Sequence, residues 1–262
     1  MDAKRLSRLH DLGITPWVAR HAPPAQSARP RPTGESQSAP LTAALTVQPT
    51  LAADARASTI AAMDWSVLKA AVRDCTACGL RSGCTQTVFG VGDEHARWLI
   101  IGEAPGADED RQGEPFVGRA GLLLNSMIAA IGLKREQVYI ANVLKCRPPG
   151  NRDPKPEEAE LCRPFLERQI ALIAPKIILA VGRIAAQNLL HTDTTIGRLR
   201  GTVHRLGGVP LVVTYHPAYL LRSPGEKRKA WIDLKLAMRT AQESNLQSGM
   251  QPRQDGAPGL TP

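Results

Sequence analysis

The sequence predicts an α/β fold, a three-layer α/β/α arrangement around a short central parallel sheet of four strands. Three observations predict it. Four short apolar runs of six to eight residues recur along the chain. Stretches with helical spacing of apolar residues separate each run from the next, as parallel neighbours require. The runs end in glycine or in polar loops, so they are bounded like buried strands covered by helices on both faces.

Taken in order, residues 64–73 (DWSVLKAAVR) set Trp65, Leu68, Ala71 and Val72 at helical spacing, and Cys75-Thr76-Ala77-Cys78 then interrupts the pattern. Residues 97–102 (RWLIIG) are too few for a helix and read as a buried strand. A helix is expected over 118–131, a second strand over 137–144, and a helix opening after Pro156. Glu157 and Glu158 in its first turn complement the helix dipole. A strand over 176–181, a helix over 183–190, a strand over 209–215 and a closing helix over 227–241 complete the pattern. No repeat at solenoid spacing is present.

The 21 prolines and 22 glycines are unevenly spread, and this divides the chain. Residues 1–20 form a short amphipathic segment in which Leu6, Leu9 and Leu12 share a stripe ahead of Trp17; it is either a frayed terminus or a docking peptide for a protein partner. Residues 21–63 are rich in Ala, Pro, Ser and Thr and read as a disordered linker, because such a composition buries too little apolar surface to offset its ordering entropy. Residues 64–243 form one domain large enough for a real core, and 244–262 form a disordered tail. Of the formal charge of +9, the core carries +6, which permits a polyanionic partner without requiring one. No run approaches the roughly 18 apolar residues of a membrane span. Charges occupy the N-terminal region where a signal peptide would be apolar, so the expected location is cytoplasmic.

Parallel sheets bind ligands beyond the carboxyl ends of their strands. Three such ends carry unusual polar sequence: GEAPGADED after the first strand, Asn142 through KCRPPGNRDP after the second, and His216-Pro217 after the fourth. Together they would form one cleft holding Glu103, Asp108, Glu109, Asn142 and His216, with the basic residues Lys145, Arg147 and Arg152. Singly, each has an ordinary reading as a solvated carboxylate, a turn residue or a structural histidine. Their joint placement at one sheet edge points to function.

The cysteines give a second signal. Cys75 and Cys78 form a CxxC pair before the sheet, Cys146 ends the second strand, and Cys162 lies in the following helix. In a reducing compartment four thiols suit a zinc ion or an iron–sulfur cluster, and ligand type alone leaves both open. The alternative is that Cys146 and Cys162 are small buried apolar residues. Cys84 is left over; it could replace Cys78 in a ligand set or remain a free thiol.

The segments GEAPGADEDRQGEPFVGRAG, YIANVLKCRPPGNRDPKPEE and HPAYLLR, in this order and with these cysteines, resemble the family 4 uracil-DNA glycosylases that carry a 4Fe–4S cluster. The resemblance spans about residues 65–240 and does not reach the first 60. It implies a uracil-DNA glycosylase-like fold. It also implies a monofunctional DNA repair enzyme that flips uracil out of DNA and hydrolyses its N-glycosidic bond, releasing free uracil and leaving an abasic site. The implied cluster ligands are Cys75, Cys78, Cys146 and Cys162, the cluster is structural, and no Mg²⁺ is needed. Asn142 matches the residue that reads uracil: a side-chain amide can donate to O4 and accept from N3–H, whereas cytosine presents the opposite pattern. Phe116 matches the aromatic that stacks on the base, and His216 the histidine that donates to O2 of the uracil anion. Glu109 is the candidate wall near C5, and the backbone amides of Ala104 and Gly106 are further donors.

The chain departs from the classical uracil glycosylases one residue after Glu103, where Ala104 replaces the aspartate that positions water. Glu103, Asp108 and Glu109 are the candidates for that work. Leu220, Leu221 or Arg222 would fill the space left by the flipped nucleotide. Arg119, Lys145, Arg147, Arg152 and Lys227 would meet phosphates. The expected partner is uracil-containing DNA, single- or double-stranded, bound by a nucleoid-associated monomer. Three other readings compete: a non-catalytic DNA-binding module of the same fold, a zinc-stabilised nucleotide hydrolase, and a covalent uracil-DNA binder. The last lacks its inserted basic loop between Asn142 and Pro154.

Overall fold

The computed structural model describes residues 49–249, so the segment expected over 1–20 lies outside the described residues. The described chain opens with α1 (Pro49–Ala61) and α2 (Trp65–Arg73). Asp64 caps α2, its carboxylate accepting from the Val67 N–H at 2.9 Å, and Leu68 and Val72 form the buried face. Residues 49–61 of the linker expected over 21–63 are therefore helical, and its residues 21–48 lie outside the described residues. Ile60 is buried beside Phe165, and the Arg56 guanidinium donates to the Leu161 carbonyl at 2.8 Å while lying 4.9 Å from the Phe165 ring centroid. An alanine-rich stretch is also a good helix former, and tertiary packing decides between the two readings.

The sheet has six strands: β1 (Val91–Gly92), β2 (Trp98–Gly102), β3 (Tyr139–Asn142), β4 (Ile177–Val181), β5 (Val203–Leu206) and β6 (Val209–Thr214). They lie in the order β1-β3-β2-β4-β6-β5. The four inner strands are parallel and are the four expected from the sequence. β1 and β5 are antiparallel edges that add to the expected sheet.

β2 shows how one apolar run serves two layers. Leu99 and Ile101 enter one core with Ala159, Leu166, Ala185 and Leu189. Trp98 and Ile100 enter the other, with Leu124, Ile128, Leu234 and Ala237. The first face is covered by α5 (Pro156–Ile173) and α6 (Arg183–Leu190), the second by α4 (Arg119–Ala130) and α9 (Lys227–Gly249). Each fully buried aliphatic side chain contributes about 1.5–3 kcal/mol through apolar surface removed from water. The last helix passes the expected end at 241 and runs through Gly249, into the stretch expected as tail. Three short helices complete the α-helices of the described residues: α3 (Ala107–Gln112), α7 (Ile196–Leu199) and α8 (Pro217–Arg222). No helix of the described residues is long and apolar enough to cross a membrane.

Register positions the chemistry. Gly102 pairs with Asn142, and Val181 with Thr214, so the four parallel strands end together. The loops that follow them rise from one sheet edge.

Candidate active site

A cleft of about 430 Å³ opens at that edge, lined by residues that include Glu103, Glu109, Phe116, Asn142, His216 and Arg222. Gly102 makes its floor possible. A Cβ there would lie 2.5 Å from Asn142 Oδ1 and 2.6 Å from Phe116 Cζ, so only glycine lets the amide and the ring meet over the end of β2. Asn142 is buried, yet its Nδ2 has no hydrogen-bond partner. An unsatisfied buried donor costs about 1–3 kcal/mol, a cost that a bound acceptor would remove.

Phe116 holds a left-handed backbone conformation with φ of +54°, which is strained for an aromatic residue and concentrates at functional sites. Its loop is clamped on three sides. Arg135 donates to the Pro115 carbonyl at 2.6 Å. Glu109 Oε1 accepts from the Val117 and Gly118 N–H groups at 3.0 and 3.2 Å. Beneath, a Cβ on Gly121 would overlap the Phe116 carbonyl. The Phe116 ring centre stands 5.6 Å from that of His216 at 31°.

His216 follows β6 and leads into α8. Gly182 makes room for it after β4, with φ of +104° and a would-be Cβ 3.1 Å from His216 Cβ. Burial pushes the imidazole pKa down to about 4; the Arg222 charge adds to this and Glu109 opposes it. The ring is therefore neutral at physiological pH. Its Nδ1 accepts from the Ala218 N–H at 3.1 Å, which leaves the proton on Nε2. Glu103, by contrast, is pushed up to about 7, first by burial and then by Asp153, with Arg183 opposing. Asp153 and Arg183 pair with each other at 2.7 Å.

Four thiols meet behind the cleft. Cys75, Cys78, Cys146 and Cys162 all line one small pocket with Leu80, Leu144 and Lys145. Burial pushes the Cys162 thiol up to about 11 and raises that of Cys146 as well. Four soft sulfur donors suit an iron–sulfur cluster or zinc, and a bound metal would hold them as thiolates. Among the described residues no three His, Cys, Asp or Glu side chains are gathered tightly enough for one metal ion. Cys84 packs against Cys146 and does not line the pocket.

The family model of the uracil DNA glycosylase superfamily matches residues 89–235, a span that contains every cleft residue described above. The chain belongs to the uracil-DNA glycosylase superfamily. Within it the chain groups with the type-4 enzymes. It is 48% identical over 172 residues to the type-4 uracil-DNA glycosylase of Archaeoglobus fulgidus, an alignment covering 63% of this chain and 86% of that protein. To the type-4 enzyme of Thermotoga maritima it is 46% identical, covering 58% of this chain and 80% of the relative. To that of Pyrobaculum aerophilum the identity is 40%, covering 66% and 93%.

Measured against the site expected for this superfamily, the structure brings Glu103, Ala104, Gly106, Glu109, Phe116, Asn142, Arg152, His216 and Arg222 to one cleft. Four expectations need correction. Lys145 is buried with its ammonium turned to Asn142 O and Gln169, so it cannot meet a phosphate. The Gly106 amide already donates to Glu109 Oε2 at 3.1 Å, so it is not free for a substrate. Asp108 pairs with Arg111 and does not line the cleft. Leu220 is buried in the core, which leaves Leu221 and Arg222 exposed of the three residues expected to fill the gap. Arg119 and Lys227 are exposed, Arg147 donates to Asn151 Oδ1 at 2.7 Å, and Arg152 forms a two-pronged pair with Glu158. One residue was missed. Asp110 is buried and accepts from the Thr85 N–H and hydroxyl at 2.8 and 3.0 Å, which ties the segment after Cys84 to α3. Its acidic neighbours masked it in the sequence.

Proposed function

We propose that this protein excises uracil from DNA as a monofunctional type-4 glycosylase, acting on single- and double-stranded substrates without Mg²⁺. The observation that carries the reading is the unpartnered, buried Asn142 Nδ2, in the cleft that also holds Phe116 and the neutral imidazole of His216. A flipped uracil stacks on the Phe116 ring, accepts at O4 from Asn142 Nδ2 and donates N3–H to Asn142 Oδ1. As the N-glycosidic bond breaks, its electron pair passes to the base and positive charge builds on the sugar. His216 Nε2–H then donates to O2 of the departing anion, the term expected to contribute most. Glu103 in its carboxylate form orients water for attack on the sugar carbon and takes up the proton released. Glu109 serves by clamping the Phe116 loop, and its side chain forms the wall near C5.

Cys75, Cys78, Cys146 and Cys162, which line one pocket, would hold a structural 4Fe–4S cluster. When bound, it would cross-link the segment after α2, through Cys75 and Cys78, to Cys146 and Cys162. Arg222, Arg119, Arg147, Arg152 and Lys227 supply the basic surface for phosphates, and Leu221 the wedge.

The test is release of free uracil from uracil-containing DNA in the presence of a chelator of Mg²⁺. We expect release by the cluster-loaded protein and a drop of about 10²–10³-fold in His216→Ala, with binding to abasic product largely kept. No release from the loaded parent sinks the assignment.

A further inference from the structure

Lys145 is fully buried at the end of β3, one residue before Cys146. Its Nζ donates to the Asn142 carbonyl at 2.9 Å and to Gln169 Oε1 at 2.6 Å, and both acceptors are neutral. Gln169 is itself fixed, its Nε2 donating to the Phe89 carbonyl at 3.0 Å. Among the described residues no carboxylate pairs with this ammonium, whose partners are those two oxygens. A buried ion without a counter-charge costs several kcal/mol, and buried charges are found paired or beside metals. Lys145 also lines the thiol pocket.

We propose that Lys145 is the counter-ion of the four-thiolate centre and a positioning residue for Asn142, one buried ammonium joining the metal-binding corner to the base-reading amide. The proposal rests on the 4Fe–4S reading above. Four thiolates leave such a centre with net negative charge; Lys145 is the buried cation lining its pocket, while the Arg56 guanidinium donates to Cys75 Sγ at 3.8 Å from the pocket's half-exposed side. The hydrogen bond to the Asn142 carbonyl fixes the backbone from which the amide enters the cleft.

The experiment uses the loaded full chain and Lys145→Met, which keeps side-chain volume and removes the charge. Reduction adds an electron to an already negative centre, so loss of the cation should move its reduction potential to more negative values. Free uracil, which occupies the same cleft, should inhibit this variant several-fold less than the parent. Where the methionine variant does not load, Gln169→Glu sets a carboxylate against the ammonium and should move the potential in the same direction. A potential equal to the parent's in the variant that loads overturns the proposal; unchanged uracil inhibition in Lys145→Met overturns its Asn142 half. A parent without iron–sulfur absorbance overturns the cluster reading and the proposal together, whereas a coloured parent with unmoved potentials overturns the proposal alone.

Discussion

Asn142, Phe116 and His216 are set apart by what their surroundings deny them: a partner for an amide, a relaxed backbone, and a second proton on the imidazole. Two carboxyl and imidazole groups in one cleft are driven to opposite sides of their usual values, His216 down to about 4 and Glu103 up to about 7. The consequence for pH is directional. Above about pH 4 the imidazole is neutral and its Nε2–H donor is constant, so His216 contributes no limb in the neutral range. The Glu103 carboxylate is mostly protonated below about 7 and accumulates above it, so kcat/KM should rise through about pH 7 and level off. Glu103→Gln should flatten that rise and lower the plateau by about 10²-fold. A limb that survives in this variant belongs to another group. At this scale the sequence made legible the residues whose neighbours form long motifs. It could not make legible Lys145, whose basic neighbours Arg147 and Arg152 give no hint that its ammonium turns inward, nor the Gly106 amide, whose partner is set by how α3 begins.

Among the elements, the four parallel strands were legible because burial on both faces leaves an unbroken apolar run. The edge strands were not. β1 has two residues, and β5 (VHRL) alternates exposed and half-buried positions with no apolar run to mark it. A signal for β5 existed in Gly207-Gly208: both have positive φ, and they join β5 to β6 as a two-residue hairpin. α8 shows what an element adds to a motif. Its adjacent leucines are equivalent in sequence, but the helix turns Leu220 into the core and leaves Leu221 exposed beside Arg222. A wedge matters only where a base must leave a stack. Leu221→Ala should therefore lower excision from duplex DNA by about tenfold and from single-stranded DNA far less, since unstacking costs a few kcal/mol in the duplex. Equal losses on the two substrates, measured as kcat/KM, remove the wedge role.

For the molecule as a whole, the decisive feature is that its apolar interior is divided. Two clusters fill the faces of the sheet, while a separate cluster joins Ile60, Leu68 and Val72 to Phe165, with Cys75 and Cys162 at its border. A further small cluster gathers Leu80, Leu144 and Cys146 with Ala104, between the thiols and the cleft. The N-terminal helices thus pack on α5 through this separate cluster and touch the sheet core through Trp65, whose ring centre lies 5.5 Å from that of Tyr139. A metal centre bound only by the folded arrangement adds its binding free energy to folding, and for four-thiolate sites that quantity is comparable to the roughly 5–15 kcal/mol by which a domain is stable. Loss of one ligand should then cost more than one cavity in an otherwise intact domain. Cys162→Ala is expected to lose visible absorbance and cooperative folding together, with a thermal transition far below the parent's and uracil release lost with it. The measurement pairs an absorption spectrum with thermal unfolding followed by circular dichroism. A colourless variant that unfolds at the parent's temperature and still releases uracil would show that the two sheet cores hold the cleft by themselves, and that the thiols are only packing.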